Sequence, residues 1–331
     1  MIELSLEQIK KITQGASRIE ENGRKISFFR FTKVQQELYK KVCADFYMKS
    51  FATAGVRLEF ETDSENLFLS VEVCKGSSRT FFTHSIFVND SLIGELSGNI
   101  ENNENVPFQK TFDLGKGMKK VKILLPWSVS SNLVSLKLDD GAKIIPVGKK
   151  RKILMLGDSI TQGYDAMRPE NAYAVQLADK LNAEALNKGI AGERFFPTFA
   201  LEKDDFAPDF ITVAYGTNDW KYSTKEHFEY TCKGFYNNLR KTYPDTRIFA
   251  LTPLWRVDID ATYESGVELK YISDYIKQVA ETVSDMTVID CMDFIPHKRQ
   301  LYQTDGVHPL DSGFKFYGEK LYSTLNSLLN F

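Results

Sequence analysis

The run Lys152-Ile153-Leu154-Met155-Leu156 stops on Gly157-Asp158-Ser159, and this stop constrains the fold more than any other feature of the chain. An apolar segment of that length beside glycine reads as a buried strand ending in a tight turn. The pattern then repeats. Strand-like runs at 184–187, 210–214, 247–251 and 287–290 alternate with helix candidates at about 171–182, 225–241, 265–284 and 312–329. In the third helix candidate Val267, Tyr271, Ile272, Tyr275, Ile276, Val279 and Val283 recur at the interval that makes one apolar face. Such alternation predicts a parallel sheet covered by helices on both sides, a three-layer α/β/α unit. Ligands bind at the carboxyl ends of strands in open sheets of this kind, so Ser159 is placed where a nucleophile could sit.

Residues 1–148 follow a different rhythm. Val56 to Thr62 alternates apolar and polar residues, Leu67 to Val73 is a second strand candidate, and further ones lie at Ser27 to Phe31, Arg79 to Val88, Gly117 to Leu125 and Leu133 to Leu138. Turn residues such as Gly76-Ser77-Ser78, Asn89-Asp90 and Asp139-Asp140-Gly141 separate them. Short strands punctuated this often predict a β-sandwich. Phe31 to Ser50 fits either a helix or a loop with aromatic anchors, and Asn102-Asn103-Glu104-Asn105 reads as a solvated turn. The boundary is set at 148/149, giving an accessory sandwich at 1–148 and an α/β domain at 149–331, with Lys149-Lys150-Arg151 as a solvated junction.

Composition removes several classes of function. A formal net charge of -2 gives no support for nucleic-acid binding. Acidic residues interrupt the apolar positions of Met1 to Gln8, unlike a secretory signal, and no stretch approaches the ~20 apolar residues needed to cross a bilayer. Taken as a full-length chain, the protein is expected in the cytoplasm, with no membrane partner. Cys43, Cys74, Cys232 and Cys291 lack the short paired spacings of a zinc site and read as buried free thiols, so no metal or organic cofactor is expected.

Ester cleavage needs a nucleophile, a base within reach of it, and donors for the oxyanion. His84, His227, His297 and His308 are the four histidines. Only His308 follows a carboxylate in a glycine turn, Asp305-Gly306-Val307-His308-Pro309, where Asp305 can fold back onto one imidazole nitrogen and leave the other facing Ser159. Donors are available from the Ser159 N–H at a helix start, the N–H of either Gly189 or Gly192 in Asn187 to Gly192, and the Asn218 side chain in Gly216-Thr217-Asn218-Asp219. Each has a plain structural alternative: Ser159 as a helix cap, Asp305 as a cap for a helix near Asp311, Asn218 as a turn residue.

The four segments together resemble the SGNH/GDSL hydrolase superfamily: Gly157-Asp158-Ser159-Ile160 matches the serine block, Asn187 to Gly192 the glycine block, Gly216 to Asp219 the asparagine block and Asp305 to His308 the Asp-x-x-His block. The resemblance covers about residues 150–331. It implies Ser159, His308 and Asp305 as catalytic residues and Ser159, Gly192 and Asn218 as oxyanion donors, with Asp158 supporting the nucleophile turn. A preceding jelly-roll-like sandwich resembles carbohydrate esterase family 2 and related acetylesterases, which implies an acetylated sugar or oligosaccharide, such as a xylooligosaccharide, as substrate. Trp220, Trp255 and Arg256 are the candidate substrate-binding residues, with core packing as the alternative for the tryptophans and an Asp258 pair for the arginine. A short-chain acyl esterase or thioesterase, and a carbohydrate-binding protein that has lost catalysis, are the alternative functions. A homo-oligomer is compatible with all of them.

Overall fold

The computed structural model describes residues 1–102 and 107–329. In the parallel sheet the strands run in the order Ala183–Gly189, Arg151–Gly157, Phe210–Ala214, Arg247–Leu251, Met286–Ile289. The first strand in sequence therefore lies second in space, and the chain leaves it in opposite directions. That reversal opens a crevice at the carboxyl end of Arg151–Gly157, where neighbouring loops diverge. Ser159 and Asn218 follow the two strands that border it.

Strand geometry sends successive side chains to opposite faces. Ile153 and Met155 accordingly pack with the helices Tyr173–Lys180 and Asp311–Leu328, while Leu154 and Leu156 pack with Lys225–Thr242 and Leu269–Ala280. The apolar face expected from Val267 to Val283 thus serves one side of a three-layer core.

The earlier part of the chain forms two antiparallel sheets. One is ordered Arg18–Asn22, Lys25–Phe29, Val129–Leu138, Asn66–Lys75, Phe108–Asp113; the other is Ile145–Pro146, Arg57–Thr62, Lys119–Leu124, Phe81–Val88, Ser91–Asn99. Leu58, Phe60, Val121 and Ile123 of the second sheet and Leu67, Leu69, Val71 and Leu133 of the first share one core, as in a jelly-roll-like sandwich.

The ambiguous stretch before Ser50 is helical, as Lys33–Val42 and Ala44–Lys49. Thr32 begins it with a capping box: its hydroxyl accepts from the Gln35 N–H and the Gln35 side chain accepts from the Thr32 N–H. Beyond Asn102, the turn expected at 102–105 lies outside the described residues.

Of the two junction lysines, Lys150 is exposed as expected and Lys149 is not. The Lys149 ammonium lies 2.7 Å from Glu59, with both side chains at least nine-tenths buried, because the junction crosses the sandwich surface instead of leaving it. The cysteines are free, but Cys74 is exposed and Cys43 half-buried; only Cys232 and Cys291 are buried. Cys74 lies at the end of an outer-facing stretch of its strand, where alternation favours solvent.

The two halves share both flanking cores: Leu124 and Trp127 pack into one cluster, Phe31 and Tyr39 into the other. Arg57 and Lys122 both pair with Asp179, and Arg79 binds both oxygens of Asp165.

Candidate active site

The turn after Arg151–Gly157 is built by Asp158. Its carboxylate accepts the Ile160 N–H, so aspartate, not serine, caps the short helix Ser159–Gln162. Ser159 is freed from capping and stands first in that helix. Burial pushes Asp158 up to about 6 against this hydrogen bond.

The Ser159 Oγ lies 2.8 Å from His308 Nε2. On the other side of the ring, His308 Nδ1–H donates to Asp305 Oδ2 at 2.5 Å. Asp305 Oδ1 accepts the N–H groups of Val307 and His308, which closes the turn on itself. Hydrogen bonds and the imidazole outweigh partial burial and hold the Asp305 carboxyl well below the usual range. The helix Asp311–Leu328 has Leu310 at its cap position, so Asp305 is not spent there.

The remaining histidines lie elsewhere. His84 is buried in the sandwich between Ser131 Oγ and the Leu96 carbonyl, and burial pushes it down to about 4. His227 is exposed in a helix first turn, and His297 stacks on Trp255.

Ser159, Gly192, Asn218, Asp305 and His308 line one cavity of about 260 Å³. A larger open hollow of about 490 Å³, within 259–270, contains none of the predicted site residues. Gly192 has φ +90°, a conformation that costs glycine little. Gly189 backs onto the serine turn, where an added Cβ would stand 2.3 Å from the Gln162 nitrogen. The loop between them is tied at almost every polar group. Ala191 N–H donates to Gln162 Oε1, Ala191 carbonyl accepts from Lys49, Glu193 N–H donates to the Ile190 carbonyl, and Glu193 carbonyl accepts from Asn218 Nδ2. The N–H groups of Gly192 and Ser159 have no protein acceptor among the described residues. Asn218 Nδ2 carries a second hydrogen beyond the one given to Glu193.

The three substrate-binding candidates fall in different places. Trp220 is fully buried; its indole N–H donates to the Val267 carbonyl and its ring meets Tyr263 edge-on. The reason is helical. Thr217–Tyr222 is a helix, so Asn218, Lys221 and Tyr222 share the face turned to the cavity, while Trp220, two positions from Asn218, points to the core. Trp255 stacks on His297 at 4.9 Å and stands edge-on to Tyr302, outside the cavity lining. Arg256 does border the cavity, but its guanidinium is committed to both oxygens of Asp258 and to the Thr217 carbonyl.

Other residues of the site escape sequence reasoning. Tyr164, whose N–H donates to the Ser159 carbonyl, sets its ring 5.2 Å from that of His308; its position five residues after Ser159 is the one signal it carries. Asp165 lies 4.0 Å from His308 Nδ1 and is held by Arg79. With Asp305 and His308 it brings three ligand-type atoms within 4.8 Å of one another. The same atoms are already engaged by the Arg79 guanidinium and by the Asp305–His308 hydrogen bond. Beneath the cavity, Glu193 lies between the hydroxyls of Tyr39 and Tyr215, and burial raises it to about 8.

Residues 155–316 match the GDSL-like lipase/acylhydrolase family. No curated protein sequence matches the chain. Among solved structures, the salicylyl-acyltransferase SsfX3 of a tetracycline biosynthetic pathway is similar over 96% of this chain and 94% of its own, with a TM-score of 0.83 at 20% identity. A candidate GDSL-like lipase from Bacteroides ovatus ATCC 8483 is similar over 99% and 98%, with a TM-score of 0.78 at 20% identity. A family two carbohydrate esterase from Cellvibrio japonicus is similar over 99% and 97%, with a TM-score of 0.65 at 15% identity. At these identities the likeness establishes the shared two-part fold. Among the described residues, no helix is long and apolar enough to cross a membrane. The matched segment, which carries Ser159, Asn218 and His308, is thus that of a carboxylic ester hydrolase of the SGNH/GDSL superfamily, of the esterase/acylhydrolase type.

Proposed function

We propose that the protein is a serine esterase that removes acetyl groups from carbohydrates, with Ser159 as nucleophile, His308 as base and Asp305 as its orienting carboxylate. The observation that carries this reading is the continuous relay of 2.8 Å and 2.5 Å from Ser159 Oγ through His308 to Asp305. His308 takes the Ser159 proton as Oγ attacks the ester carbonyl, and the Asp305 charge stabilises the imidazolium that forms. The oxyanion is met by the N–H groups of Ser159 and Gly192 and by Asn218 Nδ2. His308 then protonates the departing alcohol, and a water activated by the same imidazole releases the acid.

The acetyl and sugar preference is supported by the resemblance of the two-part fold to family two carbohydrate esterases and by a small, open cleft of mixed polar and apolar lining. Tyr222, 53% exposed at its rim, offers an aromatic surface for a sugar ring. The test is turnover of acetylated xylooligosaccharides, p-nitrophenyl esters of increasing acyl length, and acyl thioesters, each with wild type and Ser159→Ala. Acetate release from the sugar that depends on Ser159 supports the proposal. Preference for thioesters, or turnover unchanged in Ser159→Ala, overturns it.

A second reading is transfer of the acyl group to an alcohol instead of water. It is favoured by the fold shared with an acyltransferase over both halves of the chain. Adding alcohol acceptors to the ester assay and measuring the ratio of new ester to free acid separates the two.

A further inference from the structure

Lys49 ends the helix Ala44–Lys49, in a part of the chain remote in sequence from every block of the hydrolase pattern. Its side chain is 10% exposed, its ammonium pairs with Asp45 at 2.5 Å, and it donates to the Ala191 carbonyl at 2.9 Å. That carbonyl belongs to the same planar peptide as the Gly192 N–H, the group directed to the proposed oxyanion. In a trans peptide the C=O and N–H vectors are opposed, so fixing one end fixes the direction of the other. We infer that Lys49 is a positioning residue that holds the 191–192 peptide with its N–H turned into the cleft. The inference rests on the esterase reading for its catalytic meaning, but its geometric content stands apart from it.

Three observations make a tether useful here. Gly192, at φ +90°, imposes little torsional preference of its own, so a peptide bounded by it can turn at small cost unless something holds it. The ties to Gln162, Ile190 and Asn218 fix the Ala191 N–H and both main-chain polar groups of Glu193, leaving Lys49 as the side chain that holds this peptide's oxygen. Phe46, one turn before Lys49, stands 3.5 Å from where a Gly192 Cβ would be, so the same helix covers the loop without closing on it. A charged donor to a carbonyl is among the stronger protein hydrogen bonds and, little exposed to water, it is little weakened by competition. Were the peptide turned, a carbonyl oxygen would face the developing negative charge.

The test uses the full chain with Lys49→Met, which keeps much of the aliphatic stem, and Lys49→Gln, which keeps a neutral donor. For Lys49→Met, kcat is expected to fall about 10- to 100-fold with KM within about twofold, because a donor used only in the transition state has become disordered. Lys49→Gln should recover part of the loss. A crystal structure of Lys49→Met should show the 191–192 peptide turned or in two orientations, while circular dichroism remains that of the wild type. An unchanged peptide overturns the inference whatever the kinetics. So does an unchanged kcat with raised KM, which would make Lys49 a substrate contact. Absence of Ser159-dependent turnover in the wild type would instead remove the esterase reading, leaving the peptide orientation to decide the positioning role.

Discussion

Two loops meet at Ser159, and they are held in different ways. The loop that carries His308 is largely self-made: Asp305 closes it on Val307 and His308, Gln303 N–H donates to the His308 carbonyl, and Arg299 gathers the carbonyls of Tyr302, Gln303 and Thr304. The loop that carries Gly192 depends on distant residues. Lys49 holds its Ala191 carbonyl, and the buried Arg30 holds the carbonyls of Asn187 and Gly189 just before it, as well as Ala52 and Lys49 in its own half. His308 is thus held by local turns, while two carbonyls before Gly192 and that of Ala191 are held from the antiparallel half. The earlier half of the chain thereby reaches the cavity beside Ser159, where Lys49 is part of the lining.

The largest effects are expected at the centre where both loops meet. Ser159→Ala and His308→Ala should each lower kcat for a short-chain ester by about 10⁴-fold or more with the fold intact, measured alongside thermal unfolding. Asp305→Asn should cost about 10³-fold, less than loss of the base, because Asp165 remains 4.0 Å from the same imidazole nitrogen. From the helix Thr217–Tyr222, Asn218 reaches the Gly192 loop through the Glu193 carbonyl, and on the proposed role as oxyanion donor Asn218→Ala should lower kcat by about 10²- to 10³-fold with a smaller change in KM.

Arg30→Met acts on stability. Four buried carbonyls lose an Arg30 hydrogen bond at once, while that of Lys49 keeps the Ala52 N–H, so unfolding should become easier by about 3 kcal/mol or more in a denaturant titration. Arg299→Met, in the self-made loop, should cost much less because its site is exposed.

The smallest effect expected is on pH dependence. Glu193 is raised from 4.5 to about 8 by burial, so the folded state favours its protonated form. Its contribution to stability is full below about 4.5, declines as pH rises, and is gone above about 8. Glu193→Gln should flatten the fall in melting temperature between pH about 5 and about 8.5. Some slope should remain, since Asp158 and Asp219 are raised to about 6 and about 7 and act with the same sign. A wild type whose melting temperature rises across that interval would contradict the burial argument.

Much of the α/β half is legible in the amino-acid order alone. The alternation from Lys152 onward locates its strands and helices to within a few residues, because each helix there buries one regular stripe and each strand is short and apolar. The Asp305–His308 turn is readable because its partners are three residues apart. Trp220 defeats the same reasoning for want of one fact, that Thr217–Tyr222 is a helix; once it is, a two-residue step turns the indole to the core and leaves Tyr222 at the rim. Lys49 and Arg30 carry no signal, since a lone lysine at a helix end and a lone arginine after a strand are ordinary in any sequence.

The sequence by itself determined the class of chemistry and the architecture that hosts it. Both rest on short-range regularities: periodic burial, a strand stopped by glycine, and a carboxylate one turn from an imidazole. Tertiary structure alone decided which side chains complete the cleft and which way the 191–192 peptide faces. Those outcomes depend on groups more than a hundred residues apart meeting at buried contacts, where a hydrogen bond strengthens as the surrounding packing limits water.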